Sequence, residues 1–79
     1  MTLSNAIKTR IQNLCKDKNM NLNQLAIASG LNPATIRNIF KSRCITPTLT
    51  TIYYICIGFN MSIEEFFSDE LFNPENIDD

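Results

Sequence analysis

The folding of this chain turns on five residues, Ser29-Gly30-Leu31-Asn32-Pro33, which separate two apolar-periodic segments too short to be stable helices alone. Gly30 is the residue able to take a positive φ at little steric cost, so it lets the backbone leave one helix and bend sharply. Asn32 is a helix cap, and Pro33 suits a first helical position because its missing N–H has no intrahelical partner there anyway. Leu31 is expected to plug the corner between them. Upstream, Asn21 followed three residues later by Gln24 has the form of a capping box, which predicts a helix over 22–29. Downstream, Ile36, Ile39 and Phe40 keep one face inside a helix over 33–41, closed by Lys41-Ser42-Arg43 near the negative end of its dipole. The opposite face of that helix displays Ala34, Thr35, Arg37, Asn38 and Lys41.

Helical periodicity accounts for most of what remains. Ile7, Ile11 and Leu14 form one stripe of a first helix over about 4–18, capped by Thr2 or Ser4. Pro47-Thr48 opens a fourth helix, in which Leu49, Ile52, Cys56 and Phe59 are expected to form the buried stripe and which ends at Gly58 to Asn60. Ser62 with Glu65 makes a second capping box, and Ile63, Phe66 and Phe67 give a short fifth helix its inner face. With the fourth helix so oriented, Tyr54 and Ile57 project outward as uncovered apolar surface; the expected cover is a two-fold partner chain or the segment Leu71-Phe72 folded back. The chain has 79 residues, 44% of them hydrophobic and only two glycines, which suits one domain. The expected division is a folded unit over 1–68 and an acidic C-terminal tail over 69–79, partly disordered from Asn73-Pro74 onward.

Charge is distributed unevenly. The net charge is −1, yet residues 1–63 hold all seven basic residues and a single acid, Asp17, a balance of +6, while the last sixteen residues carry −7. A basic body with an acidic end is compatible with phosphate binding if the end faces away, and the acidic end reads equally as a solubilising tail or a regulatory element. Cys15, Cys44 and Cys56 form no Cys-x-x-Cys pair and the chain has no histidine. Neither a disulfide framework nor a zinc site therefore has its ligands; free thiols in a reducing compartment are expected, and no metal or other cofactor. No basic N-terminal stretch leads into an apolar run, and the longest apolar stretch, 52–59, is far short of a membrane span, so a cytoplasmic location is expected. Catalysis is disfavoured because the chain has no Cys-His pair and no glycine-rich phosphate loop, and Glu64 and Glu65 diverge by about 100° on a helix.

Two short helices joined at a glycine corner are the helix-turn-helix, in which the second helix enters the major groove of DNA and the first braces it. The sequence resembles the Cro/CI-type, or xenobiotic-response-element-type, helix-turn-helix domains over about residues 5–68. The resemblance is carried by Leu22-Asn23-Gln24-Leu25-Ala26, by 29–39, by Thr46-Pro47-Thr48-Leu49 with Ile52 and Ile55, and by 60–67. It implies an all-α, compact five-helix bundle of the lambda-repressor-like type, with helices two and three as the helix-turn-helix, that binds operator DNA as a homodimer and regulates transcription, usually as a repressor. It further implies that Asn32, Pro33, Ala34, Thr35 and Asn38 face base edges. Asn38 is then the strongest reader, since a carboxamide can bond adenine twice, while Thr35 and Ala34 offer a methyl to thymine. Arg37 is placed to reach guanine or a phosphate, and Asn21, Lys41, Ser42 and Arg43 to bind phosphates. Pro33 and Ala34 stand where many relatives carry long polar side chains, which thins direct readout. The competing readings are ordinary helix surface for Ala34 and Thr35, a solvated pair for Lys41 and Arg43, and, for the whole domain, an antitoxin-like protein-interaction module with weak or no DNA binding.

Overall fold

Three of the helix junctions are built in the same way, and they organise the molecule. In the computed structural model, which describes residues 1–41 and 46–78, the helices are α1 (Leu3–Asp17), α2 (Leu22–Ser29), α3 (Pro33–Lys41), α4 (Leu49–Gly58) and α5 (Ile63–Phe67). Among the described residues there is no strand, so the expected five-helix, all-α architecture holds. After α1, α2 and α4 the chain takes one left-handed residue: Asn19 (φ 56°), Gly30 (φ 69°) and Asn60 (φ 58°). The next residue is Met20, Leu31 or Met61. Its N–H reaches back to the carbonyl five residues earlier, at Cys15, Ala26 and Cys56 respectively, over 2.9, 2.9 and 3.0 Å. This satisfies carbonyls that a helix end otherwise leaves unpaired, while the apolar side chain of each residue packs against the core. The residue after that, Asn21, Asn32 or Ser62, starts the next helix, so each corner occupies three residues.

The core is assembled from every helix: Ile7, Ile11 and Leu14 of α1, Leu25 and Ala26 of α2, Ile36 and Ile39 of α3, Ile52, Ile55 and Cys56 of α4, and Phe59 and Phe66 beyond them. α2 lies at its centre, packed on α4 and α3. The close approach of α2 to α4 depends on small residues, for Gly58 lies directly against Ser29.

The buried side of α4 differs from expectation at one residue. Leu49 is 62% exposed, whereas Ile55, outside the expected stripe, is fully buried. The observed stripe is Ile52, Ile55, Cys56 and Phe59, spaced i, i+3, i+4 and i+7. At 100° per residue Leu49 falls about 70° from its centre and at the helix end, beyond the reach of the other helices.

After Ser68 the chain folds back along α1. Asp69 caps a 3-10 turn over Glu70–Phe72 by accepting the Leu71 N–H (3.0 Å), and a second such turn spans Pro74–Asn76. The Phe72 ring lies 4.8 Å from that of Phe67 and 6.2 Å from that of Phe66. Asn76 and Asp78 meet the N-terminus: the Met1 ammonium donates to the Asn76 carbonyl (3.0 Å) and pairs with the Asp78 carboxylate (3.1 Å). Phe72 is thus seated on α5, and Tyr54 and Ile57 remain 44% and 50% exposed.

Candidate nucleic-acid interface

The Gly30 corner sets the attitude of α3. α2 opens with a reciprocal box, in which Asn21 Oδ1 accepts the Gln24 N–H (2.8 Å) and Gln24 Oε1 accepts the Asn21 N–H (2.9 Å). It closes with the Gly30 N–H donating to Ile27 O (3.2 Å) beneath the Leu31 bond to Ala26 O. Asn32 then starts α3 at once: its side-chain Oδ1 accepts the Ala34 N–H (2.9 Å) and its backbone carbonyl accepts the Thr35 N–H (2.9 Å). Both of its oxygens serve the helix, which leaves the carboxamide –NH2 as the group with which Asn32 can meet an acceptor.

Inner and outer faces of α3 are sharply divided. Ile36 and Ile39 are buried and Phe40 half-buried, while Thr35, Arg37, Asn38 and Lys41 are exposed and Pro33 and Ala34 half-buried. Ala34, Arg37, Asn38 and Lys41 recur at i, i+3, i+4 and i+7, so the structure brings them onto one solvent-facing side. Thr35 flanks that side and Asn32 stands at its N-terminal end. Asn21 is exposed at the start of α2. Ser42 and Arg43, expected to touch phosphate, lie outside the described residues.

Lys16, Lys18 and Arg10, on α1 and at its end, differ in their surroundings. Lys16 and Lys18 are exposed where α1 runs out, just before Asn21. Arg10 is committed elsewhere. Its Nε donates to Phe66 O (2.8 Å), one terminal nitrogen to Glu65 O (3.0 Å) and the other to the Asp69 carboxylate (3.2 Å). With its side chain only 14% exposed and its guanidinium 6.0 Å from the Phe66 ring centroid, it caps the C-terminal end of α5 and faces no ligand.

Among the described residues no three potential metal ligands come together, and no helix is long and apolar enough to cross a membrane. Cys15 and Cys56 are buried free thiols. Burial pushes both above the ordinary thiol range, and at Cys56 the positive charge of Arg10 opposes that rise more weakly.

Comparison with known proteins agrees with this geometry. The sequence profile of the Cro/C1-type HTH DNA-binding domain matches residues 10–71, most of the chain. Among solved structures, the crystal structure of the prophage Lp1 protein 11 superposes with a TM-score of 0.81 at 29% sequence identity, covering 92% of this chain and 96% of that one. No curated protein sequence matches.

Proposed function

Because the chain belongs to the Cro/C1-type helix-turn-helix DNA-binding family, a class of non-enzymatic regulators, we propose that it is a sequence-specific transcriptional repressor that lays α3 in the major groove of operator DNA as a homodimer. The observation that carries this reading is the solvent-open side of α3: Arg37, Asn38 and Lys41 are exposed beside a half-buried Ala34, while Ile36 and Ile39 lock the opposite side into the core. An α-helix fits the major groove, and a helix braced along its inner face can present side chains there without local rearrangement.

Within this reading the residues divide by chemistry. Asn38 reads adenine through its carboxamide, Thr35 and Ala34 meet a thymine methyl, Pro33 packs near the groove floor, and Asn32 donates its remaining –NH2 to a base or sugar-phosphate oxygen. Arg37 reaches guanine or phosphate. Asn21, Lys41, Ser42 and Arg43 hold the backbone, joined by Lys16 and Lys18 beside the first turn of α2, where the helix dipole also favours an anion. The protein acts in the cytoplasm, where DNA is accessible and thiols stay reduced.

Selecting bound duplexes from a random pool, then titrating the winner at several salt concentrations, tests the assignment. Asn38→Ala is expected to relax preference at one base position, whereas Lys41→Ala weakens binding to all sequences alike and lowers the log–log salt slope by about one unit. Equal, sequence-independent losses from both substitutions contradict these roles. If no duplex is retarded at low salt, the bundle is a protein-interaction module instead.

A further inference from the structure

The first turn of α3 is built differently from the turns that follow it. From Asn19 to Ile36 the sequence carries no charged residue, and the charges of α3 begin at Arg37. The backbone donors that open the turn are also spent. Pro33 has no N–H, the Ala34 N–H is held by the Asn32 side chain (2.9 Å), and the Thr35 N–H by the Asn32 carbonyl (2.9 Å). A helix start of this kind lacks the free N–H groups and the cation with which such starts hold anions. Its polar groups are the Asn32 –NH2 and the Thr35 hydroxyl. The rest is small and apolar: Pro33 and Ala34, both half-buried, and the methyl of the exposed Thr35.

We propose that this turn is a site for the 5-methyl group of a pyrimidine, and that it takes the methyl of 5-methylcytosine as it takes that of thymine. Cytosine methylation then strengthens binding. The proposal rests on reading α3 as the helix that enters the major groove, and names the ligand of its first turn. In that groove thymine and cytosine differ at position 4, an oxygen acceptor against an amino donor, while the 5-methyl occupies the same place on thymine and on methylated cytosine. The Ala34 side chain has neither donor nor acceptor, so it is blind to position 4 and responds to the methyl alone. The Thr35 hydroxyl can donate or accept and suits either base, and its methyl adds apolar contact.

Hydrogen-bond discrimination falls to Asn32 before the turn and to Asn38 after it. Four residues at about 1.5 Å each set Ala34 and Asn38 about 6 Å apart along the helix, less than two base steps of about 3.4 Å. The methyl-sensitive position and the one read by Asn38 are therefore close neighbours in the operator.

Fluorescence anisotropy of the full chain on the duplex selected from the random pool tests this, with bases exchanged singly. Each thymine is replaced by uracil, and then by cytosine and by 5-methylcytosine, both opposite guanine. At one or two thymines the change to uracil should weaken binding about fourfold, the worth of one buried methyl, and 5-methylcytosine should bind about fourfold tighter than cytosine at the same place. Those thymines should lie within about two base pairs of the position whose preference relaxes in Asn38→Ala. Ala34→Ser with Thr35→Ser makes two small changes at solvent-accessible positions. The double variant is expected to melt near the wild-type temperature, to keep low-salt binding to a random duplex, and to bring both methyl ratios towards one. The wild type alone can overturn the proposal: uracil equal to thymine at every position does so, and so does 5-methylcytosine no better than cytosine where thymine outbinds uracil. Methyl ratios unchanged in the folded double variant also overturn it, since the methyl then acts through the DNA and not through this turn. A duplex bound with steep salt dependence but no methyl response sinks the methyl site alone. Failure to bind any duplex at low salt sinks the groove-entering reading of α3, and the methyl site with it.

Discussion

Ser29 and Gly58 show how much of the packing rests on single atoms. A Cβ on Gly58 would lie 3.0 Å from Ser29 N and 3.2 Å from its Cα, and would collide with its Oγ. Glycine inside a helix costs about 1 kcal/mol relative to alanine, so its place here reflects the crossing of α2 and α4. Gly58→Ala is expected to destabilise by about 1–3 kcal/mol in urea unfolding, the steric penalty exceeding the propensity gain. Ser29 Oγ is buried without a hydrogen-bond partner among the described residues. Ser29→Ala should accordingly be neutral or stabilise by up to about 1 kcal/mol, since it removes a desolvated hydroxyl and leaves the shape nearly unchanged. The buried thiols predict a pH dependence. Because burial in the folded state raises the pKa of Cys15 and Cys56 above the 9.0 of a free thiol, the folded state retains protons that the unfolded state releases. Their contribution to stability is complete below about pH 9 and is lost as pH climbs through the folded values. Thermal melts of Cys15→Ala and Cys56→Ala should start lower and fall less steeply above pH 9 than those of the wild type; a parallel decline argues against the thiols as its source.

The helices are joined by one repeated device, a left-handed residue, an apolar plug and a cap: Asn19-Met20-Asn21, Gly30-Leu31-Asn32 and Asn60-Met61-Ser62. Nothing lies within 4 Å of where a Cβ on Gly30 would stand, so a substitution there meets backbone strain alone. Gly30→Ala is expected to cost about 1–2 kcal/mol. Asn19→Gly and Asn60→Gly should change stability in the opposite direction, by a few tenths to about 1 kcal/mol, because they relieve a milder form of the same strain. Chemical unfolding of the three variants checks both signs, and a stabilising Gly30→Ala would refute the account. Only the Gly30 corner stands out in sequence, since glycine marks it; the two asparagine corners share its geometry without its signature. α4 was harder to read for a related reason. No charged residue marks an outer face between Thr46 and Ile63, and apolar periodicity then admits two stripes, one through Leu49 and one through Ile55.

Across the molecule, Arg10 joins α1 to the end of α5 and to Asp69, and so ties the acidic C-terminal segment to the first helix. Arg10→Met keeps much of the side-chain bulk but leaves two carbonyls and a carboxylate without their donor. A loss of about 2–3 kcal/mol is expected, with faster amide exchange at Leu71–Asn73. The salt slope of DNA binding should not change, because Arg10 contributes no phosphate contact; a slope that drops with Arg10→Met would place it in the interface after all. The engagement of Arg10 within the fold is not apparent from a count of charges along the chain. Glu64 and Glu65 lie in the first turn of α5, Asp69 pairs with Arg10 and Asp78 with the N-terminus, whereas Arg37 and Lys41 stand on α3.

Helix limits, caps and the exposed row of α3 could be inferred from the order of residues because the bonds that make them join groups no more than five positions apart. Which side of α4 is buried, where Arg10 is engaged and what Phe72 covers could not. Those choices rest on partners brought together by the fold, 56 positions apart in the case of Arg10 and Phe66, and no local pattern encodes a contact over that separation.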